Sequence, residues 1–220
     1  MKASAAGLLA AAVLIALAAQ GWTAPKPAEI PRYWQIDITF GDILPIQVKL
    51  PTEAAPRTFW YLRYKVTNNT GQDRIFVPEF LLYTDSGQVL RAWHQVPSSV
   101  FEEIKKTYND PLLEDLSGTT GSLLQGAENA KEGVAIWTDF DPNASAFDVF
   151  VSGLSGETEE FQLPKPIHVT ETDAAGKKVE VVKTTILLAK TLERHYAVAG
   201  EPAARSAATV HFLDEEWVMR

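Results

Sequence analysis

The 220-residue chain has 46% hydrophobic and 22% charged residues and a formal net charge of −8. These are ordinary globular proportions and they argue against disorder. An acidic chain without a basic stripe also argues against nucleic acid as a partner, because phosphate binding needs clustered Lys and Arg. The chain contains no cysteine, which removes disulfides, thiolate nucleophiles and Cys-ligated metal sites together.

The first 21 residues have the pattern of a secretory signal peptide. Lys2 supplies a positive charge, residues 8–19 form an uncharged apolar core, and small residues, Ala19 and Gly21, precede a cut before Trp22. The alternative is an uncleaved anchor, which is the one way we expect this chain to contact a membrane. The apolar run is short and rich in alanine for that role. We therefore predict export to a periplasm or to the extracellular space.

A proline-containing linker and then a series of strands follow. Residues 22–31 hold three prolines without hydrophobic periodicity, so we predict an extended linker there and a single domain over residues 32–220. Alternation of polar and apolar residues predicts half-buried strands in that domain. The predicted strands cover residues 33–40, 46–50, 59–66, 75–77, 80–83, 88–93, 133–140, 146–153, 167–172, 177–182, 184–198 and 209–213.

One predicted helix interrupts the strands. Ser99 with Glu102 fits a capping box at its start, and Asn109 ends the helical periodicity. Residues 111–131 then form a long connection, which is either a mobile functional element or holds a short helix that the pattern does not locate. The predicted fold is all-β, an immunoglobulin-like antiparallel β-sandwich with one inserted short helix.

Two stretches of the chain, residues 60–87 and 126–153, hold turn and packing motifs. These motifs are the turn Asn69-Thr70-Gly71, the positions Phe80 and Leu82, the turn Asp85-Ser86-Gly87, and Gly126-Ala127-Glu128 before the strand GVAIW. The two stretches resemble small immunoglobulin-like domains of uncharacterised exported bacterial envelope proteins. The resemblance implies an immunoglobulin-like sandwich and an envelope location, but no activity, since fold does not fix function.

Candidate ligand-binding residues surround one predicted hairpin turn. Trp137 lies on the strand face opposite Val134 and Ile136, and Asp139 and Asp141 follow it. An exposed indole stacks on sugars, and alternating carboxylates suit calcium, although the Gly and Glu of an EF-hand loop are missing here. The alternatives are a tryptophan in the core and a plain turn. A carbohydrate- or calcium-binding site at these residues is therefore our second hypothesis.

No catalytic, cofactor-binding or metal-binding motif is predicted. The four histidines are too far apart in sequence for a local zinc pair, which leaves open a site assembled from distant strands. Gly153-Leu154-Ser155-Gly156 is one residue short of a nucleophile elbow and lacks the helix that must follow it. We therefore predict a non-catalytic binding or scaffolding module of the cell envelope, whose partner is an envelope protein or a glycan.

Overall fold

The computed structural model describes residues 25–30, 33–51, 53–173, 176–200 and 208–220. Within them the chain forms two compact bodies, a larger one of residues 27–158 with 189–220 and a smaller one that holds residues 159–188. The signal peptide predicted over residues 1–21 lies outside the described residues. Residues 25–30, within the predicted linker, form no helix or strand.

The larger body is a sandwich of two sheets. The first sheet consists, in order, of β1 (Asp37–Val48), β2 (Arg57–Thr67), β8 (Lys131–Thr138) and β6 (Leu113–Glu114). The second consists, in order, of the last part of β11 (Lys178–Ala199), β9 (Ala146–Ser152), β4 (Glu79–Thr84) and β5 (Val89–Arg91), with β12 (Thr209–Met219) also paired to β11. The first part of β11 pairs with β10 (Thr158–Thr172), and this pair forms the smaller body. A small sheet pairs β3 (Arg74–Phe76) with β7 (Gly121–Leu123).

This architecture confirms the predicted all-β sandwich. Pairing is antiparallel along β1-β2-β8 and along β11-β9-β4-β5, whereas β6 runs parallel to β8. The predicted strands at 33–40 and 46–50 are one strand, β1, with a bulge between Phe40 and Ile43. A bulge accommodates an extra residue without ending the ladder, so the sequence pattern breaks where the strand does not.

Strands β2 and β8 are buried on both faces. On one face Trp60, Leu62 and Trp137 lie in the core between the two sheets. On the other face Phe59 and Ile136 belong to a second core. The sequence predicts that the second face of β2 is solvated, because Arg63 and Lys65 lie on it; that prediction is wrong for the part of the strand that a helix covers.

That helix is α1 (Ser98–Tyr108), which buries Val100, Phe101 and Ile104 in the second core. Pro97 occupies the N-cap position and no side chain caps the helix there, so the predicted capping box of Ser99 with Glu102 is wrong. The helix ends at Asn109, as predicted, and Asn109 has a left-handed conformation with φ of 47°, which is common for asparagine after a helix. Among the described residues, no helix has the length and apolar character needed to cross a bilayer.

The connection over residues 111–131 contains regular structure, which confirms the short-helix alternative. Besides β6 and β7 it holds a one-turn helix, α2 (Leu116–Thr119), and a 3-10 turn (Ala127–Asn129). The Asp115 carboxylate caps α2 by accepting from the Gly118 N–H, and the Ser117 hydroxyl is the main cause that lowers the pKa of Asp115. Thr119 accepts a hydrogen bond at 3.0 Å from the buried Tyr64 hydroxyl, whose pKa burial raises to about 12.

The smaller body is a two-stranded hairpin, which we call the ribbon (residues 159–188). Its turn is fixed by Asp173, whose N–H donates to the Lys177 carbonyl at 2.9 Å and whose carbonyl accepts from the Gly176 N–H. The predicted hairpin, with arms at 167–172 and 177–182, is confirmed. Both strands extend beyond the predicted arms. The prolines of β10 and the threonines of β11 interrupt the sequence pattern, but the strands continue through them.

Candidate functional site

The structure places the residues of the hypothetical ligand site in three different surroundings. Trp137 is fully buried in the core between the sheets, so its ring is not available to stack on a sugar. Asp139 accepts a hydrogen bond from the Trp60 indole at 2.8 Å. Asp141 accepts from the Asn143 backbone N–H at 2.9 Å and so shapes the turn. Calcium at Asp139 and Asp141 stays a prediction.

The segment Gly153-Leu154-Ser155-Gly156 is a junction between chain segments. The Ser155 hydroxyl donates to the Trp34 carbonyl at 3.2 Å and accepts from the Glu157 N–H at 3.1 Å. The Gly156 N–H donates to the same Trp34 carbonyl at 3.1 Å, and a Cβ on Gly156 would lie 2.4 Å from the Trp34 indole nitrogen. These contacts give Ser155 a structural role.

A buried ion pair follows this junction. Lys190 is only 3% exposed, and its ammonium lies 3.2 Å from Glu157 Oε2 and 5.1 Å from the centre of the Trp217 ring. Glu157 Oε1 accepts from the Ala28 backbone N–H at 2.8 Å. The pair therefore ties Ala28, within the predicted linker, to β11 of the second sheet. A buried charge needs such a matching partner.

The ribbon presents an apolar face. Asp173 and Lys177 lie opposite each other, and side chains alternate between faces along a strand, so odd-numbered residues of both strands share one face near the turn. Farther from the turn this parity changes, because the Lys190 N–H donates to the Glu157 carbonyl and the alternation of exposure in β11 breaks at Thr185 and Ile186. Ile167, on the odd-numbered face, is 41% exposed. The apolar residues of this face, which we call the odd face, are Phe161, Leu163, Ile167, Val169, Val179 and Val181.

The outer edge of the ribbon is closed to further strands. Pro164 and Pro166 both lie in β10, and residues two apart direct their backbone groups to the same edge. Proline has no N–H for a ladder and is tolerated at sheet edges. Such prolines block edge-to-edge pairing along β10, which favours contact with another molecule through a face of the ribbon.

Three side chains on the second sheet have donor atoms suited to a metal. One ligand atom from each of Asp148, Glu193 and His195 lies within 4.8 Å of the others. Asp148 hydrogen-bonds His195 Nδ1 at 2.7 Å, and this bond is the main cause that raises the pKa of His195. Burial is the main cause that raises the pKa of Glu193, and the neighbouring carboxylates of Asp148 and Glu216 raise it further.

Sequence reasoning missed this cluster because its members come from strands far apart in the chain. Two local signals were present in the sequence. Glu193 and His195 are two residues apart on a predicted strand, as are Asp214 and Glu216 near the C-terminus. Such spacing puts each pair on one face, but only the strand register brings the pairs together.

No protein-family model matches this chain, and no match is found among the curated proteins or the solved structures. The resemblance to immunoglobulin-like envelope domains stays a prediction.

Proposed function

We propose that this chain is a non-catalytic binding or scaffolding module of the cell envelope and that the odd face of the ribbon contacts its partner. The N-terminal sequence pattern supports the envelope location. The observation that carries the partner contact is the apolar odd face of a two-stranded ribbon, on which Ile167 is 41% exposed.

The physical reason is the instability of such a ribbon in water. A two-stranded hairpin is marginal unless its apolar face packs against something. Exposed apolar patches on soluble proteins mark interaction sites, and each Å² of apolar surface removed from water contributes about 25 cal/mol. A partner that covers the odd face therefore stabilises both the complex and the ribbon.

The chemistry of the odd face favours a protein over a glycan. Its apolar residues are aliphatic except Phe161, Ile167 among them is exposed, and Glu171 and Lys183 form an ion pair on the same face. Sugar recognition uses aromatic rings as stacking platforms. A mainly aliphatic face that carries one ion pair fits an apolar groove on an envelope protein.

Chemical cross-linking of residues 22–220 in the envelope fraction, with partners identified by mass spectrometry, tests the proposal. The variant Ile167→Lys/Val181→Lys places two charges on the odd face. The matched control Thr170→Lys/Val182→Lys places the same charges on the opposite face. We expect one stoichiometric protein partner with the wild type and with the control, and at least a tenfold lower yield with the odd-face variant.

Equal capture by both variants contradicts the assignment to the odd face, and recovery of glycan alone contradicts a protein partner. Turnover of an envelope substrate, abolished by a point change in one pocket, contradicts the non-catalytic assignment. Thermal unfolding of both variants, compared with the wild type, verifies that the larger body is intact.

A further inference from the structure

We propose that His195, together with carboxylates from β11 and β12, forms a binding site for a divalent transition-metal ion, with Zn²⁺ the best fit, and that Asp148 of β9 orients the imidazole. The site lies on the second sheet of the larger body and is independent of the ribbon.

The strand register brings the donors to one face. Asp148 of β9 and Asp214 of β12 lie directly opposite His195, one on each side, and Glu216 lies opposite Glu193. Residues two apart on a strand point to the same face, so the five side chains converge. A break in register after His195 leaves Leu213 without an opposite residue, and bulges of this kind re-aim side chains next to sites.

The distances suit a metal with a nitrogen donor. His195 Nε2 lies 3.7 Å from Asp214 Oδ1 and 3.9 Å from Glu216 Oε1. With metal–ligand bonds of about 2.0–2.2 Å, two donors of a tetrahedral zinc site lie about 3.4 Å apart. Small rotations of these exposed carboxylates therefore bring the oxygens to bonding distance.

The Asp148 contact prepares the imidazole for this role. Asp148 bonds Nδ1 at 2.7 Å, which leaves Nε2 directed toward the carboxylates of β12. Metal-binding histidines in proteins are oriented by a carboxylate on the other ring nitrogen, and loss of such a partner weakens metal affinity about 10–100-fold. Asp148 is therefore a positioning residue.

Electrostatics and space favour a cation at this place. Four carboxylates surround one imidazole, and a groove of about 580 Å³ lined by Asp148, His195, Asp214 and Glu216 gives an ion and its water ligands access. A divalent ion offsets the mutual repulsion of the carboxylates. The imidazole donor selects zinc and similar metals over Ca²⁺ and Mg²⁺, which prefer oxygen ligands alone.

Titration calorimetry of residues 22–220 with ZnCl₂, starting from chelator-treated protein, tests the proposal. We expect one equivalent of Zn²⁺ to bind, with affinity reduced at least tenfold in His195→Gln and about 10–100-fold in Asp148→Asn. His168→Gln is the matched control, because His168 Nδ1 also lies against a carboxylate, that of Glu180 at 3.1 Å. The control should bind Zn²⁺ as the wild type does.

Absence of stoichiometric Zn²⁺ binding overturns the proposal, and so does an affinity that His195→Gln leaves unchanged. A readout without calorimetry is the thermal midpoint, which a ligand of the folded state must raise. Zn²⁺ should raise it in the wild type and not in His195→Gln, while millimolar Ca²⁺ should not replace Zn²⁺. A rise with Ca²⁺ of the same size contradicts the choice of a transition metal.

Discussion

Asp85 joins two turns of the sandwich through its carboxylate. Asp85 Oδ2 accepts from the Ser145 hydroxyl at 2.6 Å and from the N–H groups of Ser145 and Ala146 at 3.1 Å. The Ser145 hydroxyl is the main cause that lowers the pKa of Asp85 from 3.8. The ionised carboxylate is therefore the form that stabilises the fold.

The stability of the fold should therefore depend on pH through the ionisation of Asp85. A group whose folded-state pKa is lowered stabilises the protein above its unfolded pKa, near 3.8 here, and the stabilisation is lost as pH falls through the folded value. We expect Asp85→Asn to lower the thermal midpoint at pH 5–7 and the two midpoints to converge as pH falls through the lowered pKa of Asp85. A constant difference at all pH values contradicts this account. The exposed Asp42→Asn is the control.

Arg194 shows how a charge is accommodated between the sheets. Its guanidinium carbon lies 4.1 Å from the centre of the Phe40 ring and 4.2 Å from that of Phe212, and Nε donates to the Tyr196 hydroxyl at 2.8 Å. Its head also pairs with Glu215. A planar guanidinium stacks on rings and donates at its edge at the same time, which explains arginine on an apolar strand face.

At the scale of elements, α1 is the reason that the first sheet is buried on both sides. Val100 and Ile104 are four residues apart and thus on one helix face, and both are fully buried against Phe59 and Ile136 of the second core. The helix has no side-chain cap at its start, so packing supplies most of its stability.

We therefore expect Ile104→Ala to lower the free energy of unfolding by about 2–4 kcal/mol, through lost burial and the cavity left behind. Glu102→Ala, on the exposed face of the same helix, should change it by less than about 0.5 kcal/mol. Urea denaturation of both variants gives the comparison. A large effect of Glu102→Ala would contradict this account, because it would indicate that Glu102 caps the helix.

The sequence predicts the strands and helices better than it predicts which other elements pack over them. Alternation located β2, β4, β8, β9 and the ribbon hairpin, because it depends on neighbours within one strand. The sequence leaves the burial of Trp137 open, because alternation within β8 does not show that both of its faces are covered, one by the second sheet and the other by α1. The sequence also does not show that His195 lies beside Asp148, because the two residues are 47 positions apart in the chain and no local pattern encodes the register between their strands.

At the scale of the whole molecule, both cores take their described residues from the larger body. Replacing residues 160–187 by a two-residue Asn-Gly turn, which suits a tight hairpin, should therefore leave a folded protein with a thermal midpoint within a few degrees of the full chain. Circular dichroism and thermal unfolding check this. Loss of cooperative unfolding would instead support the single domain predicted over residues 32–220.

The burial of β2 and β8 on both faces also determines how the unfolded chain behaves. Residues 59–62 (FWYL) and 134–137 (VAIW) are continuous apolar runs, and short runs of high β-propensity without charge drive aggregation when they are exposed. Arg63 and Lys65 stand at the end of the first run and act as gatekeepers against self-association. Substitutions that slow folding should therefore appear first as insoluble protein during expression, before any defect in binding becomes measurable.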